Sequence, residues 1–587
     1  MISRVHSMTL QGIDAAACEV EVDVARGGLG EIRLVGLPDP AVKEAISRVQ
    51  AAMRNCGFRW PGPKVTISLA PADVKKEGPS FDLPIALGVL LAGGEIHSQS
   101  SHGEPPTAPD AEPGTTGRKG RKKARAAEEP PAGATLPDLD GPGGDFGDPA
   151  DPVTDPGEAF AALGAPRSAG PDKHTEFLLV GELALDGRLR PIRGALAAAM
   201  LAKQMGMRGI LLPRDNAPEA AVVDELEVIG VDTLTQAVGF LSGELEIPAT
   251  QVDLDEVFLQ GARYEVDFGD VRGQAAGKRA MTVAAAGHHN MLMIGPPGSG
   301  KTMLAKRIPT ILPPLTPEES LQTTRIYSSR GLLAPGASLM ATRPVRTPHH
   351  SASAASLVGG GVIPQPGEIS LAHHGVLFLD EFPEFPRTTL EMIRQPLEDG
   401  CVTIPRVHST LKFPAQIMLV AAMNPCPCGY FGDPRHPCKC SPMMVERYMS
   451  RISGPLIDRI DIHIEVPAVA YRDLRAEGGD GQTSAVMRAQ VLSAREIQRR
   501  RFADSAGRPT TTTNATMSSK QLRQHCKLDP AGEALLKQAM TELGLSARAH
   551  DKVLRVSRTI ADLEAAPNIA AHHLAEAVQY RRLDRKL

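Results

Sequence analysis

Short apolar runs alternate with amphipathic helical patterns over most of the chain, and one long segment breaks this alternation. Residues 65–74 (VTISLAPADV) predict a strand, and residues 82–94 (DLPIALGVLLAGG) predict a helix that ends on glycine. The pattern resumes at residues 176–185 (EFLLVGELAL). The two ordered stretches, 1–96 and 175–245, therefore predict one α+β domain that is interrupted by an insert.

The insert, residues 97–174, consists largely of Pro, Gly, Ala, Asp and Glu. Such a composition buries too little apolar surface to offset the entropy lost on ordering, so it predicts a disordered segment. A basic cluster, RKGRKKAR (118–125), lies within it. A solvated charge run is the preferred interpretation of this cluster, and contact with nucleic acid is the alternative.

The second half of the chain shows a different order of elements. After a polar linker at 246–262, residues 263–467 alternate apolar strands with helices, which is typical of a parallel α/β sheet. Residues 468–587 have a helical pattern and a basic composition, with 20 Lys and Arg against 13 Asp and Glu after residue 469. We therefore predict an α/β core followed by a C-terminal helical lid.

Composition limits the classes of protein that fit this pattern. Apolar residues make up 42% and charged residues 22%, as in soluble globular proteins. The net charge of −4 gives no whole-molecule argument for nucleic acid, so a polyanion site must be local. Because the sequence has no apolar run of about 18 residues and no export signal, we expect a cytoplasmic protein without a membrane partner.

The strongest chemical motif follows the apolar strand MLMI (291–294). GPPGSGKT is a P-loop, G-x-x-x-x-G-K-[ST], in the strand–loop–helix context that it requires. Lys301 is expected to reach the β- and γ-phosphates and the Thr302 hydroxyl to ligate Mg²⁺, while backbone N–H groups face the anion. The motif predicts ATP and Mg²⁺ as cofactors. Its nucleotide-binding residues are Gly295, Pro296, Pro297, Gly298, Ser299, Gly300, Lys301 and Thr302.

Two further apolar strands end in polar side chains. GVLFLDE (375–381) ends in Asp380, placed to hold Mg²⁺, and in Glu381, the predicted base that polarises the attacking water. QIMLVAAMN (416–424) ends in Asn424, which is predicted to contact the γ-phosphate or the water. Asparagine before proline is also a common turn former, which is the alternative interpretation of Asn424.

Four of the eight cysteines crowd into residues 426–440. They form a C-x-C-x₉-C-x-C arrangement of Cys426, Cys428, Cys438 and Cys440. Four thiolates on one loop suit a tetrahedral Zn²⁺ site in a reducing compartment, with His436 as a substitute ligand. Redox-active or merely structural thiols are the alternative, because C-x-C is less diagnostic of zinc than C-x₂-C.

Segments on both sides of these motifs match one known family. They are VRGQ (271–274), RTPHHSAS (346–353), PGEISLAHHGVLFLDE (366–381), AAMNPCPCGYFGDP (421–434) and RISGPLIDRIDIHIEVP (451–467). Together with the P-loop they resemble the magnesium-chelatase-like AAA+ proteins, and within these the ComM/YifB group. The resemblance covers nearly the whole chain outside the insert. It implies that Val271 and Gln274 flank the adenine of ATP.

The resemblance also implies a homo-oligomeric ring, a hexamer, in which an arginine from one subunit completes the neighbour's ATP site. Such an arginine finger is worth about 10³–10⁵ in rate. Arg459 matches the family's finger position, and Arg451 is the alternative. Arg548 fits the second sensor in the lid, with Arg555 and Arg558 further along the same helix. A salt bridge is the competing interpretation for each of these arginines.

The N-terminal domain contains two segments that resemble the halves of the Lon-type protease domain, residues 70–86 and 180–213. Ser80 falls on that family's nucleophile, which needs a lysine to take its proton. Leu196 and Ala198 stand where the Lon pattern places lysines, and Lys203 is predicted to face elsewhere. We therefore expect Ser80 to be a turn residue or helix cap, in a domain that serves as a collar or substrate guide.

Two inserts in the α/β core are relevant to the substrate on which a ring ATPase would act. Residues 351–370 contain the Gly359–Gly361 run, which suits a mobile loop, and residues 399–416 predict a β-hairpin. Arg406, His408 and Lys412 lie near the hairpin tip. In related proteins such hairpins line the ring's pore and grip DNA, and basic groups of this kind meet phosphates without reading bases. A solvated turn is the alternative.

The favoured hypothesis is an ATP-driven ring motor that acts on single-stranded or branched DNA. It would be a branch-migration helicase or translocase in homologous recombination during natural transformation, with recombination proteins as partners. One alternative is an AAA+ remodeller of protein substrates that carries a proteolytically inactive Lon-like domain. Another is a magnesium-chelatase motor subunit, although such subunits lack the Lon-like domain and the cysteine loop.

Overall fold

The computed structural model describes most of the chain outside the insert. The described ranges are 2–25, 31–76, 78–96, 173–261, 264–361, 364–405, 410–433, 435–469, 482–504 and 510–581. The basic cluster at 118–125 lies outside them, as does the insert itself apart from its last two residues. Arg406 and His408 of the predicted hairpin tip also lie outside the described residues.

The N-terminal domain is built on strands from both sides of the insert. They are β1 (Ile2–Gln11), β2 (Asp14–Ala25), β3 (Glu31–Val35), β4 (Lys64–Ala70), β5 (Phe177–Leu179), β6 (Glu182–Leu183), β7 (Leu189–Arg190), β8 (Gly209–Pro213) and β9 (Glu227–Val231). Seven of these form a mixed sheet in the order β3-β4-β2-β1-β5-β8-β9, and β6 pairs with β7. Because β5 pairs with β1, the stretches before and after the insert share one sheet.

Helices cover this mixed sheet. The longer ones are Pro40–Asn55, Asp82–Gly93, Ala195–Gln204 and Leu234–Ser242, and the single-turn ones are Lys173–Glu176 and Ala217–Ala220. In helix Asp82–Gly93 every residue from Asp82 to Ala92 is buried, since the sequence DLPIALGVLLA is apolar on all sides. The helix ends where Gly94 adopts a left-handed conformation with φ 78°, as the sequence pattern predicted.

The α/β core contains the remaining strands. They are β10 (Met291–Ile294), β11 (Val345–Arg346), β12 (Gly359–Gly360), β13 (Gln365–Pro366), β14 (Val376–Leu379), β15 (Cys401–Pro405), β16 (Thr410–Pro414), β17 (Met418–Met423) and β18 (Ile462–Glu465). Five strands form a parallel sheet in the order β11-β14-β17-β10-β18. Strands β10, β14 and β17 are buried throughout, as expected for parallel strands covered on both faces.

Two small antiparallel strand pairs lie outside the five-stranded sheet. Strands β12 and β13 pair within the core insert at residues 351–370, where Gly359 lies opposite Pro366. Strands β15 and β16 pair over five residues each, which confirms the hairpin predicted for residues 399–416. Its described basic residue, Lys412, is exposed on β16.

The helices of the core and of the lid share one hydrophobic cluster. The core helices are Leu254–Gln260, Ala275–Gly287, Lys301–Arg307, Pro317–Arg330, Ala354–Val358, Glu368–Leu371, Arg387–Met392, Arg394–Asp399, Pro442–Met449 and Gly454–Ile457. The lid helices are Ser484–Phe502, Ser519–His525, Pro530–Leu543, Ala547–Leu563 and Ala571–Gln579. Met293 and Val420 of the sheet belong to the same buried cluster as Val556 and Ile560 of the lid. The parallel sheet and the C-terminal helices confirm the predicted α/β fold class.

The N-terminal domain packs against the core helix Pro317–Arg330. The Ser328 hydroxyl donates to the buried Glu219 carboxylate, and the Gly194 N–H donates to the Ser328 carbonyl at 3.2 Å. Arg325 of the same helix contacts Asp14. Within the described ranges, no helix is long and apolar enough to cross a membrane.

Candidate ATP site

The P-loop occupies the turn between β10 and helix Lys301–Arg307. Gly298 and Gly300 have left-handed φ values of 72° and 91°, and an added Cβ atom at either position would meet nothing within 4 Å. These two glycines are thus required for backbone conformation rather than for space. Gly295 differs, because a Cβ atom there would lie 2.2 Å from the Val466 carbonyl oxygen.

Lys301 is the buried cation at the centre of this loop. Its Nζ donates to the carbonyl oxygens of Gly295 at 2.8 Å and Pro296 at 2.9 Å, and to Asn424 Oδ1 at 3.2 Å. Burial lowers the pKa of Lys301, and the nearby Asp380 carboxylate opposes that shift. The contact with Asn424 brings the end of β17 to the P-loop, so the asparagine predicted to contact the γ-phosphate lies beside the predicted phosphate-binding lysine.

Thr302 and Asp380 meet at the point where the magnesium site is predicted. The Thr302 hydroxyl donates to Asp380 Oδ2 at 2.7 Å, although 78 positions separate the two residues. Asp380 Oδ1 accepts the backbone N–H of Glu381 at 2.9 Å. Hydroxyl and carboxylate oxygens are the ligands that Mg²⁺ takes beside nucleotide phosphates, so this pair fits the ion.

Glu381 follows β14 in an unusual backbone conformation. Its φ of 52° lies in the left-handed region, which residues other than glycine seldom adopt. Its side chain is 55% exposed, and Oε2 lies 2.8 Å from Nδ1 of His350. His350 was missed as a site residue by sequence reasoning, which used RTPHHSAS only as a family segment. The available signal was its place just after β11, the strand that pairs with β14.

Of the two predicted adenine-flanking residues, Gln274 contacts the P-loop. The Gln274 side-chain amide donates to the carbonyl oxygens of Ser299 at 3.0 Å and Pro467 at 2.6 Å. Val271 is 4% exposed in the core. Gln274 therefore connects the phosphate-binding loop to the chain that leaves β18.

The arginines predicted to act on ATP occupy two kinds of environment. Arg459 is 9% exposed, donates to the Pro455 carbonyl at 2.6 Å and contacts Glu398, whereas Arg451 is half exposed and pairs with Glu384 at 2.7 Å. Arg548 is exposed on the lid. Arg555 donates to the carbonyls of Ala515 and Met517, and Arg558 pairs with Asp562, so both stabilise the lid itself.

Arg459 and Arg548 lie close enough to interact. Burial lowers the pKa of Arg459, and the positive charges of Arg394 and Arg548 add to that shift. Among the described residues, no hydrogen bond or ion pair joins Arg459 or Arg548 to the P-loop of the same chain. The candidate finger and the candidate lid sensor thus belong, with Arg394, to one group of mutually interacting arginines.

The four clustered cysteines gather around a common centre. Cys426 Sγ lies 3.3 Å from Cys428 Sγ and 3.7 Å from Cys438 Sγ, and all four sulfur atoms lie within 4.8 Å of one another. Thiolates bound about 2.3 Å from a tetrahedral zinc ion are roughly 3.8 Å apart, so the set fits this metal. The N–H groups of Tyr430 and Lys439 lower the pKa of Cys428 to about 6. His436 instead packs its ring on Tyr430 and faces Asp433.

The cysteine loop packs directly on the P-loop. A Cβ atom added to Gly429 would lie 2.7 Å from Pro297 Cδ, so the two loops are in contact at this point. Between them lies a cavity of about 880 Å³ whose lining includes Gly295, Pro296, Phe431 and Cys440. The arrangement of the cysteine loop therefore bears on the shape of the phosphate-binding loop.

The residues of the Lon-like segments do not assemble in the same way. Leu196 and Ala198 are fully buried in the hydrophobic core. Lys203 faces away, as predicted, since its Nζ donates to the Asp224 carbonyl at 3.0 Å and lies 3.2 Å from Glu225. Neither Lon-type lysine position thus supplies a base to Ser80.

Comparison with known proteins identifies the family to which this chain belongs. It matches the family described as magnesium chelatase, subunit ChlI, over residues 267–474, the C-terminal part of that subunit over 481–581, and a further ChlI region over 20–104 and 159–216. It is 38% identical over 586 residues to the competence protein ComM of Haemophilus influenzae, which covers 99% of this chain and 98% of that protein. The chain belongs to the magnesium-chelatase-like AAA+ family, in the ComM/YifB group.

Two other relatives extend this assignment. The uncharacterized protein YifB of Escherichia coli is 37% identical over 591 residues, covering 100% of this chain and 98% of its own. An archaeal Lon protease of Halobacterium salinarum is 34% identical over 125 residues, which is 20% of this chain and 16% of that protein. Membership of the AAA+ family implies use of ATP and Mg²⁺, and members of this family typically form oligomers.

Proposed function

We propose that this AAA+ protein is an ATPase whose hydrolysis drives movement along DNA. The observation that carries the ATPase part is the meeting of polar side chains at the ends of three adjacent parallel strands. Lys301 would neutralise the β- and γ-phosphates, Thr302 and Asp380 would hold Mg²⁺, and Asn424 would contact the γ-phosphate. Glu381, just after β14, would accept the proton of the attacking water.

The active form is proposed to be a hexameric ring in which Arg459 completes the neighbour's site. Among the described residues Arg459 makes no hydrogen bond or ion pair with its own P-loop, and its charge is influenced by Arg548, which supports action in trans. In that arrangement Arg459→Ala subunits mixed with Lys301→Ala subunits recover part of the ATPase activity, since each can supply what the other lacks. If the mixture stays inactive while Arg451→Ala complements Lys301→Ala, Arg451 takes the finger role.

The DNA part of the proposal rests first on similarity along the whole chain to a protein named for competence. The exposed Lys412 on the β15–β16 hairpin and the basic lid add local positive charge to a chain of net charge −4. Such charges suit a motor that tracks the phosphate backbone. The proposed activity is branch migration or translocation during homologous recombination in natural transformation.

The ATPase rate with and without DNA tests this activity. We expect stimulation by single-stranded or branched DNA at low salt, declining as salt rises because phosphate contacts are screened. Lys412→Ala should reduce the stimulation while leaving the DNA-free rate unchanged. Lys439→Ala, a lysine on the cysteine loop, is a control of the same chemistry. Neither stimulation nor DNA binding at low salt would exclude the DNA proposal.

A second candidate function is remodelling of protein substrates. It is favoured by the likeness to an archaeal Lon protease, although neither Lon-type lysine position holds a lysine. In that case an unfolded protein such as casein, and not DNA, should stimulate the ATPase. Both ligands are therefore compared in the same assay.

We also propose that Cys426, Cys428, Cys438 and Cys440 hold a structural Zn²⁺. The four sulfur atoms fit a tetrahedral ion, and such an ion would fix the loop that packs on Pro297. Elemental analysis should find one zinc per chain in the wild type and in Cys401→Ser, whose thiol lies outside the cluster. Cys438→Ser should lower the zinc content. Metal-free wild-type protein would rule the site out.

A further inference from the structure

Glu398 is the carboxylate that holds the candidate arginine finger. Its Oε1 accepts a hydrogen bond from Nη2 of Arg459, and the Pro455 carbonyl accepts one from Nη1 at 2.6 Å. The Arg459 side chain is 9% exposed and that of Glu398 is half exposed, so the pair lies at the boundary between interior and surface. A guanidinium in such a pair has its charge compensated within its own subunit. It is therefore not available to stabilise negative charge on a phosphate of the neighbouring subunit.

The backbone around Arg459 is anchored to both the core and the lid. The Asn290 side-chain amide donates to the Arg459 carbonyl at 3.1 Å, and the Asn290 carbonyl accepts the N–H of Asp461 at 3.0 Å. The buried Asp461 carboxylate accepts hydrogen bonds from His289 of the core at 2.9 Å and from Lys552 of the lid at 2.5 Å. A change in the reach of Arg459 must therefore come from its side-chain contacts.

Glu398 lies at the base of the β15–β16 hairpin. The helix that carries it ends at Gly400, which adopts a left-handed φ of 64°, and β15 begins at the next residue. The Gly400 carbonyl accepts the N–H of Ala415 at 2.8 Å, so the two ends of the hairpin meet there. Leu397 of the same helix packs against the apolar cluster that contains Phe413 of β16. The helix and the hairpin are thus packed as one unit, so displacement of the hairpin displaces Glu398.

We propose that Glu398 is a positioning residue that withholds Arg459 from the neighbour's ATP until the hairpin moves. The exposed Lys412 lies on β16, and contact of this strand with a polyanion in the ring would shift the hairpin and the helix behind it. Without the carboxylate, Arg459 is left beside the positive charges of Arg394 and Arg548, which favour its extension away from them. This inference rests on the proposed finger role of Arg459 and names what regulates it.

Steady-state ATPase of the full-length protein without DNA tests the restraint. Glu398→Ala should raise kcat roughly tenfold, the effect expected for loss of one charged hydrogen bond, and leave the KM for ATP unchanged. Glu398→Gln should give a smaller increase, because its amide oxygen accepts the same hydrogen bond without the charge.

Asp399→Ala is the matched control. It removes the same charge from the next position of the helix, and within the described residues no hydrogen bond or ion pair joins Asp399 to Arg459. Its kcat should therefore stay close to that of the wild type.

Mixing of variants separates the restraint from a merely structural effect. Chains that carry both Glu398→Ala and Lys301→Ala bind no ATP themselves, so they act only on a neighbour. Mixed with Arg459→Ala chains, they should give a higher ATPase rate than chains with Lys301→Ala alone give in the same mixture. The double variant Glu398→Ala/Arg459→Ala should be as slow as Arg459→Ala, because the restraint acts through the arginine.

Three results would overturn the proposal. They are a kcat of Glu398→Ala at or below the wild-type rate, an equal increase in Asp399→Ala, and no gain from Glu398→Ala in the mixture. Because these assays contain no DNA, failure of the DNA proposal leaves them readable. Failure of the finger assignment would be recognised separately, as wild-type ATPase activity in Arg459→Ala.

Discussion

The N-terminal domain and the α/β core both place helices on a β-sheet, and both contain segments with the pattern of an enzyme site. In the core, Lys301 bonds to Asn424 and Thr302 bonds to Asp380 at the carboxyl ends of the parallel strands. In the N-terminal domain, buried polar groups are instead used for packing. Arg48 holds the fully buried Asp82 through two hydrogen bonds at 2.8 and 2.9 Å.

The difference follows from the direction of the strands. The carboxyl ends of parallel neighbours lie at the same edge, so residues that follow β10, β14 and β17 converge whatever their distance in sequence. In the N-terminal sheet β5, β8 and β9 are also parallel neighbours, but β1, β2 and β4 are antiparallel, and the ends of those three strands alternate between the two edges. A likeness of fold therefore carries a catalytic function only where the topology also gathers the side chains.

The largest expected effect is on the core site. Lys301→Ala should lose ATP binding, because the cation that neutralises the phosphates is gone. Glu381→Gln should bind ATP but hydrolyse it about 10²–10⁴-fold more slowly, since the amide cannot accept a proton. Binding of a fluorescent ATP analogue and phosphate release measure the two steps. Hydrolysis at the wild-type rate in both variants would show that these core residues do not form the ATPase site.

Stability of the N-terminal domain provides the next effect. Arg48→Ala leaves the Asp82 carboxylate buried without its partner and should cost about 3–5 kcal/mol of unfolding free energy at neutral pH. Burial raises the pKa of Asp82, with Arg48 opposing, so the loss should shrink at lower pH as Asp82 takes a proton. Denaturant unfolding at neutral and lower pH measures this loss of unfolding free energy. Arg188→Ala, which breaks an exposed pair with Asp186, should leave the unfolding free energy close to that of the wild type.

Lower pH should reduce the effect of Arg48→Ala in the N-terminal domain, but it should destabilise the core. Burial is the main cause that lowers the pKa of His374 to about 4, below its ordinary value of 6.5. Between these pH values the unfolded chain binds the additional proton, so stability falls by up to about 3 kcal/mol as pH drops from 6.5 to 4. His374→Asn should flatten that slope by about one proton. Denaturant unfolding at several pH values measures how the unfolding free energy depends on pH. An unchanged slope in His374→Asn would contradict the assignment of this effect to His374.

A smaller effect is expected where the cysteine loop meets the P-loop. Gly429 and Gly432 have similar left-handed φ values of 85° and 79°, so alanine strains the backbone equally at both. Only Gly429 is crowded, because its Cβ atom would lie 2.7 Å from Pro297, whereas Gly432 has nothing within 4 Å. Gly429→Ala should weaken ATP binding about tenfold, as overpacking does, and Gly432→Ala should not. Equal Kd values would argue against coupling of the two loops.

The smallest effect is expected at Ser80. Because neither Lon-type lysine position supplies a base, Ser80→Ala should change neither the ATPase rate nor casein stability in the presence of the protein. Unfolding free energy should shift by no more than about 0.5 kcal/mol. If the wild type degrades casein and Ser80→Ala does not, the N-terminal domain is a protease that uses Ser80.

Much of the ATP site was predictable because its motifs are local. The P-loop places glycines, Lys301 and Thr302 within one strand–loop–helix unit, and the acidic pair directly follows an apolar strand. His350 was not predictable in this way. Its position near Glu381 follows the pairing of β11 with β14, and the two residues of β11 carry too weak a pattern to reveal the strand. The contacts of Gln274 with Ser299 and Pro467 depend likewise on distant parts of the chain.

The amino-acid sequence by itself determined the chemistry available to this protein: a P-loop, an acidic pair, four clustered thiols and a Lon-like segment without its lysine. It did so because each of these depends on neighbours within a few residues. Only the tertiary structure decided which groups meet. It brought Asn424 to Lys301, His350 to Glu381 and Arg459 to Glu398. Those distances are set by strand order and packing, which no local pattern contains.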